Sequence, residues 1–217
     1  MSDAAVVRLY RRLAPVYDFV YGLLLQPGRR LAIRLMAPQP GARVLEVGVG
    51  TALGTRFYPP HCRVTAVDLS PDMLVRASQR LGRERSSVVR LVRMDARRLA
   101  FPDALFDVVY APYVVNVVDD PVAVVAEMKR VCKPAGQIVL LNHFAGGLNA
   151  ATWLDPFVDA IAMRFSHARW DVGLDPLVLA CGLVPGQIAP ANVLSFSSVV
   201  VCSPGVPLPV TAPQAQA

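Results

Sequence analysis

Three apolar runs in the first half of the chain each carry a carboxylate at or near their end. Arg43-Val-Leu-Glu-Val47 holds Glu46 and breaks into a turn with glycines at 48, 50 and 54. Arg63-Val-Thr-Ala-Val-Asp68 ends on Asp68, and Val88 to Met94 runs into Asp95. Strands that finish this way in a parallel sheet place all three acids along one edge. In open α/β sheets that carboxyl edge is where ligands bind. Glycines at 48 and 50 let backbone approach a ligand where a Cβ would obstruct it.

The rest of the chain fits the same frame. Helical periodicity covers 3–14, and 16–26 and 29–36 read as further helices separated by a break at Pro27-Gly28. Strands and helices then alternate: strand 43–47, helix 52–58, strand 63–67, helix 71–82, strand 88–94, strand 105–110, helix 120–132 and strand 136–143. Ser70-Pro71 opens the second of these helices with a capping residue and a proline in the first turn. Residues 151–165 and 174–182 read as helices, and 186–202 as two closing strands around Ala189-Pro190. The pattern is that of a doubly wound, mostly parallel, Rossmann-like α/β sheet with helices on both faces and an N-terminal helical lid. The expected division is 1–40 as lid and membrane-contacting segment, 41–202 as the main domain, and 203–217 as a disordered tail.

Composition narrows the class. At 217 residues, 54% hydrophobic and 18% charged, the chain supports one folded domain with a full core. The longest apolar stretch, Leu13 to Leu25, is interrupted by Pro15, Asp18 and Gly22. A bilayer-spanning helix needs ~20 apolar residues, so no transmembrane span is expected there. No secretory signal is expected either, because Asp3 sits at the start and no compact apolar block leads to a cleavage site. Cys62, Cys132, Cys181 and Cys202 are far apart and lack CxxC spacing. They read as core residues in a reducing cytoplasm, and no metal site is expected. Residues 1–40 carry Arg8, Arg11, Arg12, Arg29, Arg30 and Arg34 against Asp3 and Asp18. That is most of the chain's net charge of +6.

The glycine turn has a competing reading as a dinucleotide fingerprint. That fingerprint is spaced GxGxxG, whereas Gly48, Gly50 and Gly54 are spaced GxGxxxG. Glu46 would also repel a pyrophosphate. An acid there suits a cationic ligand with a free ammonium group. The glycine turn and the acids at 46, 68 and 95 resemble those of class I S-adenosylmethionine-dependent methyltransferases, across roughly residues 40–145. The resemblance implies that Glu46, Gly48, Gly50 and Thr51 hold the methionine end of the cofactor. It places Asp68 on the ribose hydroxyls, Leu69 and Met73 beside the adenine, and Asp95 and the Ala96 amide on the adenine edge. Ala111, after the fourth strand, would line the pocket wall. The family's third glycine is Ala52 here, a side chain small enough to be tolerated.

The acceptor side rests on other segments. Val6, Leu9, Tyr10 and Leu13 share one helical face, with Arg8, Arg11 and Arg12 opposite. Such a helix fits a membrane interface or, equally, a lid with a solvated face. Each arginine near an anionic leaflet adds ~1 kcal/mol. The Tyr17-Asp18 element, Tyr58-Pro-Pro-His-Cys62, Tyr113-Val-Val-Asn-Val-Val-Asp-Asp-Pro121, Glu127-Met-Lys-Arg-Val-Cys132 and Leu141-Asn-His-Phe144 together resemble the bacterial, Rhodobacter-type phosphatidylethanolamine N-methyltransferases. That resemblance implies methylation of a lipid headgroup amine, through mono- and dimethyl forms, towards phosphatidylcholine. The partners it implies are a phospholipid substrate and an anionic membrane surface. The place it implies is the cytoplasm, peripherally at the inner leaflet.

Such an amine titrates near ~10, so presenting it neutral at pH 7 costs ~4 kcal/mol. A base is therefore useful. His143, at the end of the fifth strand, is the best placed of three histidines, His61 and His167 lying in loops. Tyr17 with His143 matches the tyrosine–histidine pair that closes related phosphoethanolamine methyltransferases. Tyr10, Tyr21, Tyr113 and Phe144 are candidates to hold a methylated ammonium by cation–π attraction, and each is equally readable as core. The competing readings are a quinone-ring C-methyltransferase and a non-catalytic cofactor-binding protein that docks on membranes. Nucleic acid is not expected as substrate, for want of an Asn-Pro-Pro-Tyr-like base-flipping motif.

Overall fold

The computed structural model describes residues 25–85, 88–144, 172–192 and 197–205. Seven strands form one sheet: β1 (Arg43–Val47), β2 (Arg63–Asp68), β3 (Val89–Arg93), β4 (Phe106–Pro112), β5 (Cys132–Asn142), β6 (Val184–Ala191) and β7 (Ser197–Ser203). Their order is β3-β2-β1-β4-β5-β7-β6. The first five are parallel, while β7 runs antiparallel to both β5 and β6. This is the mostly parallel, Rossmann-like sheet that the three acid-tipped runs imply.

The described helices are α1 (Gln26–Met36), α2 (Pro71–Arg85), α3 (Pro121–Val131) and α4 (Leu174–Ala180). Strand alternation splits the core between them. Leu45, Val67, Val109, Ile138 and Leu140 face the layer of α3 and α4, with Val124, Val125, Met128 and Leu177. Val44, Val64, Ala66, Val108 and Leu141 face the layer of α1 and α2, with Ile33, Met36, Ala77 and Leu81. Both faces are covered, which is why these strands are apolar nearly throughout.

Several boundaries depart from the sequence expectation, each for a local reason. Pro27 and Gly28 do not break a helix; they lie in the first turn of α1, where a missing proline N–H costs nothing. The helix expected over 52–58 is only a 3₁₀ turn, Thr55–Phe57. Ala52 stands before it at φ +60°, outside helical space. Helix α2 reaches Arg85, with Gly82 at φ +58° interrupting it where the expected helix ends. Strand β5 begins at Cys132, earlier than expected, across a register shift between Phe106 and Val108. Ala189-Pro190 lies inside β6 instead of dividing the last two strands. Strand β6 is the sheet edge, where proline N–H groups are not needed. The expected helices over 3–14 and 151–165, most of that over 16–26, and the tail from 206 lie outside the described residues. Helix α1, within the expected lid segment, packs against β5, β6 and β7. No helix among the described residues is long and apolar enough to cross a membrane.

Candidate active site

The strand order reverses between β1 and β4, and a cavity of about 180 Å³ opens there at the carboxyl ends of the strands. The turn after β1 forms its floor, with Gly48 at φ +70° and Gly50 at φ +54°. The two glycines do different work. A Cβ on Gly48 would collide with Val114 Cγ2 from the loop after β4, so this glycine lets two protein loops close together. A Cβ on Gly50 would meet nothing within 4 Å. Only Gly50 therefore has open space in front of it, as expected of both.

Gly48, Gly50, Thr51, Asp68, Leu69, Met73, Asp95 and Ala96 all line this cavity. Asp68 is fixed by its own loop: Oδ2 accepts from Gly50 N at 2.8 Å and Oδ1 from Ser70 N at 2.9 Å. Burial raises its pKa, while the Ser70, Gly50 and Leu69 amides hold it down. Both oxygens keep further lone pairs, so the carboxylate can still accept from a diol. Asp95 is tied to Arg97, whose Nη2 reaches Oδ2 at 2.8 Å and whose backbone N reaches Oδ1 at 2.9 Å. The Arg97 side chain is the main cause of its lowered pKa. Arg97 lines the same wall and has no counterpart in the sequence expectation.

Glu46 and Ala111 stand elsewhere. Ala111 is fully buried in the α3 layer, and Pro112, Tyr113 and Val114 supply that stretch of wall. Glu46 points from β1 into the α1 layer and is 1% exposed. Burial pushes its pKa up to about 7, against the opposing pull of the Tyr58 hydroxyl and the Arg29 charge. Arg29, from the first turn of α1, is 7% exposed, lines the cavity, and sets its guanidinium 4.9 Å over the Tyr113 ring. Its Cδ and Glu46 Oε1 lie 3.3 and 3.7 Å from the point where a Gly54 Cβ would sit.

A buried arginine and a buried carboxyl group thus meet beside the glycine turn. Each keeps one polar atom, Arg29 Nη1 and Glu46 Oε2, without a hydrogen-bond partner among the described residues. Leaving such groups unmade costs ~1–3 kcal/mol apiece, so a native site that keeps both is built for something that satisfies them. A ligand with an ammonium and a carboxylate on one carbon does so, and the amino acid end of S-adenosylmethionine is such a group. Arg29 was legible in the sequence only as part of the basic segment 1–40. Nothing in the pattern says that a helix beginning Gln26-Pro-Gly-Arg29 lays its arginine under the sheet.

At the far side of the cavity, Tyr113 follows β4 at φ +59°, a conformation an aromatic residue adopts only under constraint. Its ring lines the cavity and lies 5.7 Å from the His143 ring, tilted by 35°. His143 follows directly on β5. Its Nδ1 is 3.1 Å from Ser197 Oγ, and its carbonyl accepts from Asn116 Nδ2 at 2.8 Å. The aromatic partner the described structure gives His143 is therefore Tyr113. Tyr17 lies outside the described residues, as do Arg8, Tyr10, Arg11, Arg12 and Tyr21. One face of Tyr113 already carries a cation in Arg29. Phe144, expected to face the acceptor, is 5% exposed and belongs to the core on the α3 side, because the chain turns onto that layer after β5. His61 lies on a loop, with Nε2 3.2 Å from the Pro38 carbonyl.

Comparison with known proteins agrees with this geometry. Residues 45–140 match the family model described as a methyltransferase domain. The chain is 46% identical over 147 residues to a phosphatidylethanolamine N-methyltransferase of Cereibacter sphaeroides, covering 67% of this chain and 71% of that protein. It is 32% identical to a demethylmenaquinone methyltransferase of Renibacterium salmoninarum, covering 62% of this chain and 57%, under two thirds, of that protein. Among solved structures, the YcgJ protein of Bacillus subtilis superposes with a TM-score of 0.64 at 25% identity, covering 74% of this chain and 69% of that one.

Proposed function

Since the chain belongs to the class I S-adenosylmethionine-dependent methyltransferases, with S-adenosylmethionine as cofactor, we propose that its acceptor is the amine of phosphatidylethanolamine. The mono- and dimethyl forms follow as further acceptors, leading towards phosphatidylcholine. The observation that carries this reading is the 46% identity to the Cereibacter enzyme over two thirds of both chains.

The residues divide the work. Arg29 and Glu46 hold the carboxylate and ammonium of the cofactor, Asp68 holds its ribose diol, and Leu69, Met73 and Ala96 cover its adenine. Bound there, the cofactor supplies a methyl group on a cationic sulfur. The acceptor amine would enter on the β5 side of Tyr113, where His143 would take its proton; the nitrogen lone pair so freed could bond the methyl carbon as the methyl–sulfur bond breaks and its electron pair returns to the sulfur. Tyr17 helps keep that amine in line. Arg8, Arg11 and Arg12 hold the protein reversibly on an anionic membrane surface, at the cytoplasmic leaflet, through charge attraction that salt screens within ~8–10 Å.

The test is incubation with cofactor labelled in the methyl group and vesicles of defined composition, followed by lipid chromatography. Label in mono- and dimethylated phosphatidylethanolamine, greater with anionic than with neutral vesicles, is the expected result. Label in a demethylmenaquinone offered in the same vesicles, and none in lipid amine, would replace this reading with the quinone one, which the Renibacterium relative favours.

A further inference from the structure

Four segments far apart in sequence meet beside His143: the start of α1, the residue after β4, the turn leaving β6, and the start of β7. Asn192 is at their centre, at φ +64°, a left-handed conformation that asparagine tolerates. Its amide orientation is settled by the backbone. Gly28 N–H donates to Asn192 Oδ1 at 2.7 Å, so the other terminal atom must be the NH₂ group. Gly28 itself is required for this closure, since a Cβ there would lie 2.7–2.9 Å from the Asn192 amide and the Tyr113 hydroxyl.

The NH₂ group donates twice, to Tyr113 Oη and to Ser197 Oγ, each at 2.8 Å. Ser197 Oγ thus has one lone pair taken. One lone pair and one proton remain, shared between His143 Nδ1 at 3.1 Å and the Tyr113 oxygen, which Ser197 also engages. Tyr113 Oη is free to accept this second bond while sending its own proton toward the Leu25 carbonyl, 3.5 Å away. With the serine proton directed to Tyr113, its last lone pair faces Nδ1. In this arrangement every donor of the cluster has an acceptor with the histidine's proton on Nδ1.

We propose that Ser197 is a positioning residue for the reaction: oriented by Asn192, it accepts the Nδ1 proton of His143 and so leaves Nε2 as the unprotonated nitrogen. This rests on the reading of His143 as the base that takes the amine's proton. A neutral imidazole in water prefers the opposite tautomer, with the proton on Nε2. A base at Nε2 therefore needs a fixed acceptor at Nδ1, and Ser197 is that acceptor.

The experiment is ¹⁵N-detected NMR on the full chain with labelled histidine, above the pH at which His143 is cationic, with His143→Gln identifying its signals. Wild type is expected to show protonated Nδ1 and bare Nε2. Ser197→Ala, which removes only a hydroxyl, is expected to shift His143 towards the Nε2-protonated form. It should also lower kcat at least tenfold while changing the KM for the cofactor less than twofold, with Ser197→Thr restoring both tautomer and rate. Wild-type His143 protonated on Nε2 would overturn the proposal, as would a tautomer unchanged in Ser197→Ala. Neither result depends on methyl transfer. Failure of the reading itself appears separately, as a His143→Ala enzyme with undiminished turnover.

Discussion

The cofactor edge of the cavity and the polar cluster behind its Tyr113 wall are built in opposite ways. On the cofactor edge, the parts are local in sequence: Gly50 and Asp68 are eighteen residues apart, and Asp68 is held by the backbone of its own loop and of the neighbouring turn. In the cluster behind Tyr113, Gly28 bonds Asn192 across 164 residues, Asn192 bonds Tyr113 across 79, and Ser197 reaches His143 across 54. The first holds left-handed backbone with Gly48, Gly50 and the small Ala52; the second places the larger Tyr113 and Asn192 in it, at some cost in strain. Much of the cofactor edge is backbone and acids carried on neighbouring strand ends. A reaction needs side chains from several elements held against one another, and tertiary packing alone supplies that.

The contrast breaks most visibly at His143. His143→Ala should lower kcat by ~10²–10⁴-fold, the usual reach of general-base catalysis, and leave affinity for S-adenosylhomocysteine within twofold. Initial rates with phosphatidylethanolamine vesicles and calorimetric titration give the two numbers. A near wild-type rate at pH 7 would leave desolvation and proximity as the whole mechanism.

Asp68 and Arg29 sharpen the cofactor edge. Asp68→Ala should cost ~1.5–3 kcal/mol, roughly 10–100-fold, in binding both S-adenosylhomocysteine and 5′-methylthioadenosine, since both carry the ribose diol. Arg29→Met should weaken only the former, because only that ligand has a carboxylate. Equal losses with both ligands for Arg29→Met would show the guanidinium to serve Tyr113 instead.

Glu46 predicts a pH effect of definite sign. Its pKa rises from 4.5 to about 7 on folding. The unfolded chain gives up this proton first, so stability falls as pH climbs from 4.5 through 7, by about 3 kcal/mol once Glu46 is fully ionised. A bound ammonium favours the ionised form, so cofactor binding at pH 7 should release about half a proton from this group. Calorimetry in phosphate and in Tris, whose ionisation enthalpies differ, measures it. The same enthalpy in both buffers, or a difference that survives Glu46→Gln, would place the ammonium elsewhere.

The smallest effect is expected at Ala52, which holds φ +60° where Gly48 and Gly50 hold similar angles without a Cβ. Ala52→Gly relieves ~1–2 kcal/mol of left-handed strain but gives back ~0.4–1 kcal/mol to the unfolded chain. A gain under ~1 kcal/mol should appear as a slightly raised Tm, with cofactor affinity kept. A clear loss would mean that the methyl packs well enough to outweigh the strain.

What the sequence by itself determined is the periodic part: parallel strands tipped with acids, the glycine turn, and the cofactor class that such an edge serves. These follow from side-chain alternation and from backbone freedom at single positions, which a run of ten residues already expresses. Tertiary structure decided that Gly48 makes room for Val114, that Arg29 lies buried beside Glu46, that Phe144 turns into the core, and that Tyr113 stands against His143. It also brought Asn192 and Ser197, residues without any sequence signal, against Tyr113 and His143. Each of these depends on which elements pack together, up to 164 residues apart, and contacts over such distances leave no period in the chain that makes them.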